Sequence, residues 1–260
     1  MDTNFIVIFS YFIVIYRIVQ LYEVLIAMSF QNQFTKTTTD ANLMETVHHG
    51  STEYPFRYYY ENIALFDFKC IDWQWHSELE FIYIESGNVV VDIVTVHFEL
   101  NEGNGIMINS KILHRLQSSS DAIIPNFLFQ PSFIAPQDSL IYKKYINPVI
   151  SSSLEYLVFQ PDIPWQKKAL EIIKTIIAVQ ETEFNREIIV SMSVQQLWIL
   201  LLENLTFDQF ENMGAVISRT RLQLMMQYVH AHYSENITLE DIARTANISK
   251  STALHLFQNN

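Results

Sequence analysis

Thr238-Leu239-Glu240-Asp241-Ile242-Ala243-Arg244-Thr245-Ala246-Asn247-Ile248-Ser249-Lys250-Ser251-Thr252-Ala253-Leu254-His255-Leu256 reads as two short helices joined by a tight turn. Thr238 is a good side-chain cap, and Asp241 three residues on completes a capping box, so the first helix is expected from Leu239 to about Ala246. Asn247 stands where the turn needs a left-handed residue, for which Asn is the best substitute after Gly. Ser249 then caps the second helix. Ile242, Ala246, Ile248, Ala253 and Leu256 occupy the spacings that bury the inner faces of two steeply crossing helices. Ala243 is small where the second helix must approach.

That packing leaves Lys250, Ser251, Thr252, His255 and Gln258 on the outer side of the second helix. In a helix-turn-helix, side chains so placed meet base edges and phosphates, although the same pattern also describes an ordinary solvated face. The formal charge of −12 is unfavourable for nucleic acid as an average. From Val216 onward, however, Arg219, Arg221, Arg244 and Lys250 oppose Glu235, Glu240 and Asp241, so the acid lies elsewhere and only the tail suits DNA.

Upstream, the spacing predicts a helix over Ser218 to Tyr233 and another over Arg186 to Leu205. The latter places Ile189, Met192, Val194, Leu197, Ile199, Leu200 and Leu201 around most of its circumference, which calls for burial on several sides, against the rest of the chain or a second subunit. Ala169, Ile172, Ile173, Ile176 and Ile177 form an earlier helical stripe, and Pro161, Pro164 and Trp165 mark the change of grammar before it.

From Tyr58 to Ala135 the pattern is different: short runs of Val, Ile, Phe and Tyr punctuated by Gly87, Gly103, Gly105 and Pro131. This is the grammar of a small β-sandwich or barrel. Within it, Gln74-Trp75-His76-Ser77-Glu78-Leu79-Glu80 with Gly87, then Gly103, Asn109, Lys111 and His114, carry the two clusters of polar and ligating residues. Strand alternation places Phe66, Phe68, Gln74 and His76 on one face, with Trp73 and Trp75 on the other. Aromatic walls with polar tips suit a polyol, and a plain hydrophobic core accounts for the phenylalanines equally well. The candidate effector-binding set is Phe66, Phe68, Gln74, His76, Glu80 and His114. Cys70 is the only cysteine, which excludes an internal disulfide and fits a reducing compartment.

The segment Tyr228 to Gln258 resembles the AraC/XylS family of regulators, and the clusters around His76 and His114 resemble the two motifs of the cupin barrel. Gln74 replaces the first histidine of the cupin pattern, Asn109 its proline and Lys111 its glycine. The resemblance implies an α+β chain: a cupin-like β-barrel, a helical region and a C-terminal helix-turn-helix. The expected divisions are residues 1–27, 28–140, 141–213 and 214–260. It further implies a small effector, a sugar in many members, with promoter DNA as partner, a homodimer and a cytoplasmic location. Two imidazoles, a carboxylate and an amide converging in the barrel would suit Fe or Mn. With Gln74 in place of a stronger ligand, the expectation is no bound metal or other cofactor, and no residue is assigned a catalytic role.

Family members carry two helix-turn-helix units, and Asn260 follows the first, so the DNA-binding domain is expected to be incomplete and its affinity low. A metal-dependent cupin enzyme and a regulator unable to bind DNA are the alternatives. Phe5 to Ala27 is apolar but broken by Arg17 and Glu23, and the polar stretch after Met28 makes that residue the expected true start of translation; a membrane anchor and a signal peptide are the other readings.

Overall fold

Alternating and continuous apolar runs between Phe56 and Phe129 become eight strands in the computed structural model, which describes residues 36–94, 96–182, 184–205 and 213–259. They are β1 (Phe56–Asn62), β2 (Cys70–Gln74), β3 (Leu79–Tyr83), β4 (Asn88–Ile93), β5 (Val96–Asn101), β6 (Gly105–Ile108), β7 (His114–Gln117) and β8 (Ile123–Phe129). A ninth, β9 (Tyr156–Phe159), lies beyond the boundary expected at residue 140, and it pairs with β6. Two antiparallel sheets result, β1-β8-β3-β6-β9 and β2-β7-β4-β5. The apolar leader expected over residues 1–27 lies outside the described residues.

The first sheet is buried on both faces, which is why β3, β6 and β8 read as nearly unbroken apolar runs. Phe81, Phe127 and Phe129 point to its outer face, where α1 (Pro164–Ala178) and α2 (Arg186–Asn204) cover them with Leu170, Ile173, Leu197 and Leu201. Ile82, Ile106 and Ile124 point inward and join Val89, Val91 and Leu116 of the second sheet. The interior is therefore closed between two sheets, with polar side chains gathered toward one end.

Asn109, which stands where the barrel pattern has proline, is fully buried and explains the unexpected β9. Its side-chain amide donates to the carbonyls of Val149 and Leu154 at 3.1 and 2.7 Å, pinning the turn that feeds β9. Lys111 adopts φ 63, the left-handed conformation that the missing glycine would take without strain, and its N–H donates to the His76 carbonyl at 2.8 Å.

The terminal helices are α3 (Met213–His232), α4 (Leu239–Thr245) and α5 (Lys250–Asn259). Thr238 and Asp241 form the expected capping box, Asn247 takes φ 57, and the Ser249 hydroxyl accepts from the Thr252 N–H at 3.2 Å. Ala243, Ala246, Ala253 and Leu256 are buried between the helices, with Ile242 and Ile248 packed against them. Among the described residues, no helix is long and apolar enough to cross a membrane.

Candidate functional site

Gln74 ends β2, His76 follows it, Glu80 lies on β3 and His114 opens β7, paired in register with Gln74. All four are buried, and His76, Glu80 and His114 place ligand atoms within 4.8 Å of one another. The Nε2 atoms of His76 and His114 approach the same Glu80 oxygen, at 3.3 and 3.2 Å. His114 Nδ1 lies 2.9 Å from the Ile112 carbonyl, which only accepts, so Nδ1 carries the ring proton. Its Nε2 is 3.2 Å from Glu80 but off hydrogen-bonding geometry, and His76 Nδ1 lies 3.8 Å from Glu78 Oε2, likewise without a hydrogen bond. Burial would raise the Glu80 pKa, but the two imidazoles outweigh it and hold the carboxyl well below the usual range. For His114, burial favours the neutral ring, and Glu80 prevails in raising its pKa.

The sequence reading missed the rest of this interior. A segment over residues 36–50 runs beside the end of β2: Glu45 N–H donates to the Trp75 carbonyl and Trp75 N–H to the Leu43 carbonyl, both at 2.9 Å. It delivers His49, whose ring stands between Tyr59 Oη at 2.9 Å and Glu45 at 3.0 Å and packs edge-on against His76. Burial lowers the His49 pKa, but Glu45, Glu78 and Glu80 together raise it. Glu61, buried on β1, accepts from Asn126 Nδ2 at 2.7 Å, and its pKa is pushed up to about 8 by burial against that opposing hydrogen bond. Glu78 accepts from Gln130 nearby. The pair His48-His49 in an otherwise polar stretch, and the inward alternation of Tyr59 and Glu61, were the available signals.

Two of the expected effector contacts fall elsewhere. Residues Ile63–Leu65 and Asp67–Lys69 form consecutive 3-10 turns rather than a strand, so alternation does not apply to Phe66 and Phe68. Phe66 is buried in the apolar part of the interior, and Phe68, at φ 57, is fully exposed to solvent. Trp73, on β2, and Trp75, just after it, are both half-buried, Trp73 beneath Arg115 and Trp75 against the 36–50 segment.

At the other end, Lys250, Ser251, Thr252, His255 and Gln258 all lie on the exposed side of α5. Lys250 Nζ reaches Glu240 Oε2 at 2.9 Å, and Arg244 stands near both Glu240 and Asp241. The two regions are joined. The Asn42 carbonyl accepts from both Trp75 Nε1 and Gln227 Nε2 of α3, each at 2.8 Å, and Leu43 shares one apolar cluster with Leu222 and Met225.

Residues 67–136 match a family model described as an AraC-like ligand binding domain. A curated protein of Bacillus subtilis (strain 168), the uncharacterized HTH-type transcriptional regulator YdeC, is 31% identical over 226 residues, spanning 84% of this chain and 76% of that protein. The chain belongs to the AraC family of transcription regulators. Among solved structures it is similar to ToxT from Vibrio cholerae O395, at 10% identity and a TM-score of 0.39, covering 78% of this chain and 75% of that one. A cupin-2 domain protein from Shewanella frigidimarina is similar over 28% of this chain and 69% of its own, at 12% identity and a TM-score of 0.25. In this AraC-family chain the buried polar cluster lies partly outside the matched segment, since Glu45, His49, Tyr59 and Glu61 precede residue 67.

Proposed function

We propose that this protein is a one-component, ligand-responsive regulator that holds a small effector in its barrel and promoter DNA on α5. Lys250, Ser251, Thr252, His255 and Gln258 are the DNA-facing side chains in this reading, with Thr252 and His255 reaching base edges. The effector meets Gln74, His76, Glu80 and His114, with Glu61 and Asn126 as further hydrogen-bonding groups; the family resemblance makes a sugar the expected class. Phe66 and Phe68 are not retained as contacts, because neither lines the polar end. The protein works in the cytoplasm as a homodimer, and Ile188, Met192 and Ile199, exposed on α2, are the side chains a second copy would cover.

The observation that carries this reading is the double acceptance at the Asn42 carbonyl. Trp75 adjoins His76 in sequence, Asn42 is three residues from Glu45, and Gln227 belongs to the helix that leads into α4 and α5. A rearrangement of the 36–50 segment on effector binding is thereby felt at the DNA-binding end through direct contacts. Two discrete arrangements of one shared element are what coupling between distant sites requires.

The test is a fluorescence titration of the full chain against fragments of its own promoter region at two salt concentrations, with and without candidate sugars. Affinity that is sequence-dependent and salt-sensitive, and that changes on adding an effector, supports the reading. Equal, weak affinity for every fragment, unchanged by any effector, defeats it.

A further inference from the structure

The carboxyl groups at the polar end of the barrel differ in their partners. Glu45 stands 3.0 Å from the His49 imidazole, and Glu80 lies 3.3 and 3.2 Å from those of His76 and His114. Glu61 and Glu78 take their hydrogen bonds from neutral groups: Glu61 from Asn126 Nδ2 at 2.7 Å, Glu78 from Gln130 Nε2 and Ser77 Oγ. The buried charged or polar side chains among the described residues include no lysine or arginine, and Arg57 of β1 is exposed, standing over the Tyr59 ring. Around Glu61, therefore, β3 contributes the acid Glu80, the 36–50 segment contributes the acid Glu45, and β8 contributes only the Asn126 amide. The nearby imidazole of that segment, His49, is engaged by Glu45 and Tyr59. A buried carboxylate so placed calls for a positive charge that the chain does not supply. Glu61 keeps its proton instead: burial and its two acidic neighbours outweigh Asn126 and push its pKa up to about 8.

A second group in the same interior is also unmet. His76 turns Nε2 to Glu80, and its Nδ1, equally buried, has no hydrogen-bond partner and lies 3.8 Å from Glu78 Oε2. That nitrogen is a donor in the charged ring and an acceptor in the neutral one, and a ligand hydroxyl satisfies either. We propose that the effector is an amino sugar, its ammonium group received by Glu61 and one of its hydroxyls by His76 Nδ1. The proposal rests on reading the barrel as an effector site and narrows the effector from a sugar to one that carries a positive charge. As the ammonium arrives, the Glu61 proton leaves for bulk water, so one positive charge replaces another and the net charge of the cluster is unchanged. Asn126 keeps its bond to Glu61 throughout and holds the carboxylate in place. A neutral sugar gains nothing from this exchange, and a sugar acid meets repulsion from Glu45, Glu78 and Glu80.

The experiment is calorimetric titration of the full chain with glucosamine, galactosamine and mannosamine, each beside its parent hexose and its N-acetyl derivative. It is paired with DNA titration in the presence and absence of each compound. One equivalent of an amine is expected to bind at least about tenfold tighter than its parent and its N-acetyl derivative, the gain that corresponds to lowering the Glu61 pKa by about one unit. Glu61→Gln, which keeps an acceptor for Asn126, is expected to lose that advantage. Titrations in buffers of different ionisation enthalpy are expected to show the wild type releasing most of one proton more than Glu61→Gln, a difference that a merely structural role for Glu61 would not produce. His97→Ala removes an exposed imidazole paired with Asp92 on the outer sheet and is expected to change nothing. Because Glu61→Gln can also alter folding, the wild-type melting temperature is measured too: a rise with the amine and none with its N-acetyl derivative is expected. Absence of amine binding, or parent hexoses binding as tightly as the amines, overturns the proposal. Undiminished amine affinity and proton release in a folded Glu61→Gln variant overturns the place of Glu61 in it. Amine binding that leaves DNA affinity unchanged defeats the regulator reading and leaves the amine site standing, whereas a neutral sugar that alters DNA affinity while no amine binds does the reverse.

Discussion

Lys250 Nζ lies 2.9 Å from Glu240 Oε2, so the first residue of α5 is held by a carboxylate of α4. Both side chains are more than half exposed, which makes the pair weak in water and easily exchanged for a phosphate. Lys250, helped by Arg244, keeps the Glu240 carboxyl below its ordinary range, so the pair persists at neutral pH and is lost only in acid. Glu240→Gln is expected to strengthen DNA binding a few-fold by releasing Lys250 and removing a negative charge. Lys250→Ala is expected to weaken binding to all sequences and reduce the salt slope by about one. Titrations at several salt concentrations check both; an unchanged slope in Lys250→Ala would show that this residue meets no phosphate.

Ala243 and Ala253 are buried where α4 and α5 cross. Replacing Ala243 with Leu forces extra methylenes into that contact and is expected to destabilise the terminal helices by about 1–3 kcal/mol, while the barrel keeps its own transition. Calorimetry that resolves the two transitions, or amide exchange by region, checks this. Thr252→Ala and His255→Ala should leave both transitions in place and alter only DNA preference.

Glu61 supplies a pH dependence whose sign is fixed. Its pKa is raised to about 8 in the folded chain, from 4.5. Between those values the folded state binds the extra proton, so stability is full below pH 4.5 and is lost as pH rises through about 8. Glu61→Gln keeps an acceptor for Asn126 without the ionisation. Its melting temperature is therefore expected to fall less steeply than wild type between pH 5 and about 9, the range set by the linkage above. Parallel slopes in the two proteins would assign the decline to other groups.

Lys111 at φ 63 is strained as any residue with a Cβ is in that region. Lys111→Gly is expected to stabilise the barrel by about 0.5–1 kcal/mol, unless the lost unfolded-state restriction cancels it. Denaturant unfolding measures the change; a loss of more than about 1 kcal/mol would mean that the Lys111 side chain contributes packing or charge that outweighs the strain.

The shared acceptor at Asn42 makes a further expectation. Trp75→Phe and Gln227→Ala each remove one donor to the same carbonyl, at a cost of about 0.5–1.5 kcal/mol apiece. Because one oxygen serves both, the double variant is expected to depart from additivity, and a double-mutant cycle on unfolding free energies reads the coupling. Strict additivity would mean that the two bonds act independently.

Legibility followed the range of the interactions. The α4–α5 hairpin rests on contacts within a few residues, so the Thr238 capping box, the left-handed Asn247 and the buried Ala243 could be read from spacing alone. In the barrel, His76, Glu80 and His114 were legible because two strand-turn motifs carry them, although their mutual approach depends on pairing across the sheets. Phe66 and Phe68 misled because a left-handed turn at Phe68 and Lys69 breaks the alternation that the apolar pattern suggests. Glu45 and His49 gave no periodic signal, since they lie in an irregular segment whose place is set by the backbone of Trp75. β9 was hidden for a similar reason: it is aligned by Asn109, more than forty residues earlier.

The Asn42–Gln227 bond spans 185 positions of sequence. Sheet pairing and the covering by α1 and α2 involve residues that leave the ribosome well before α3 is made, so the barrel has the opportunity to fold first and the seam to close last. Contacts of such long loop closure form late and open early. In native-state exchange the amides around Asn42 and along α3 should accordingly exchange ahead of β3, β6 and β8, making the joint between the barrel and the terminal helices the first part of the fold to come undone.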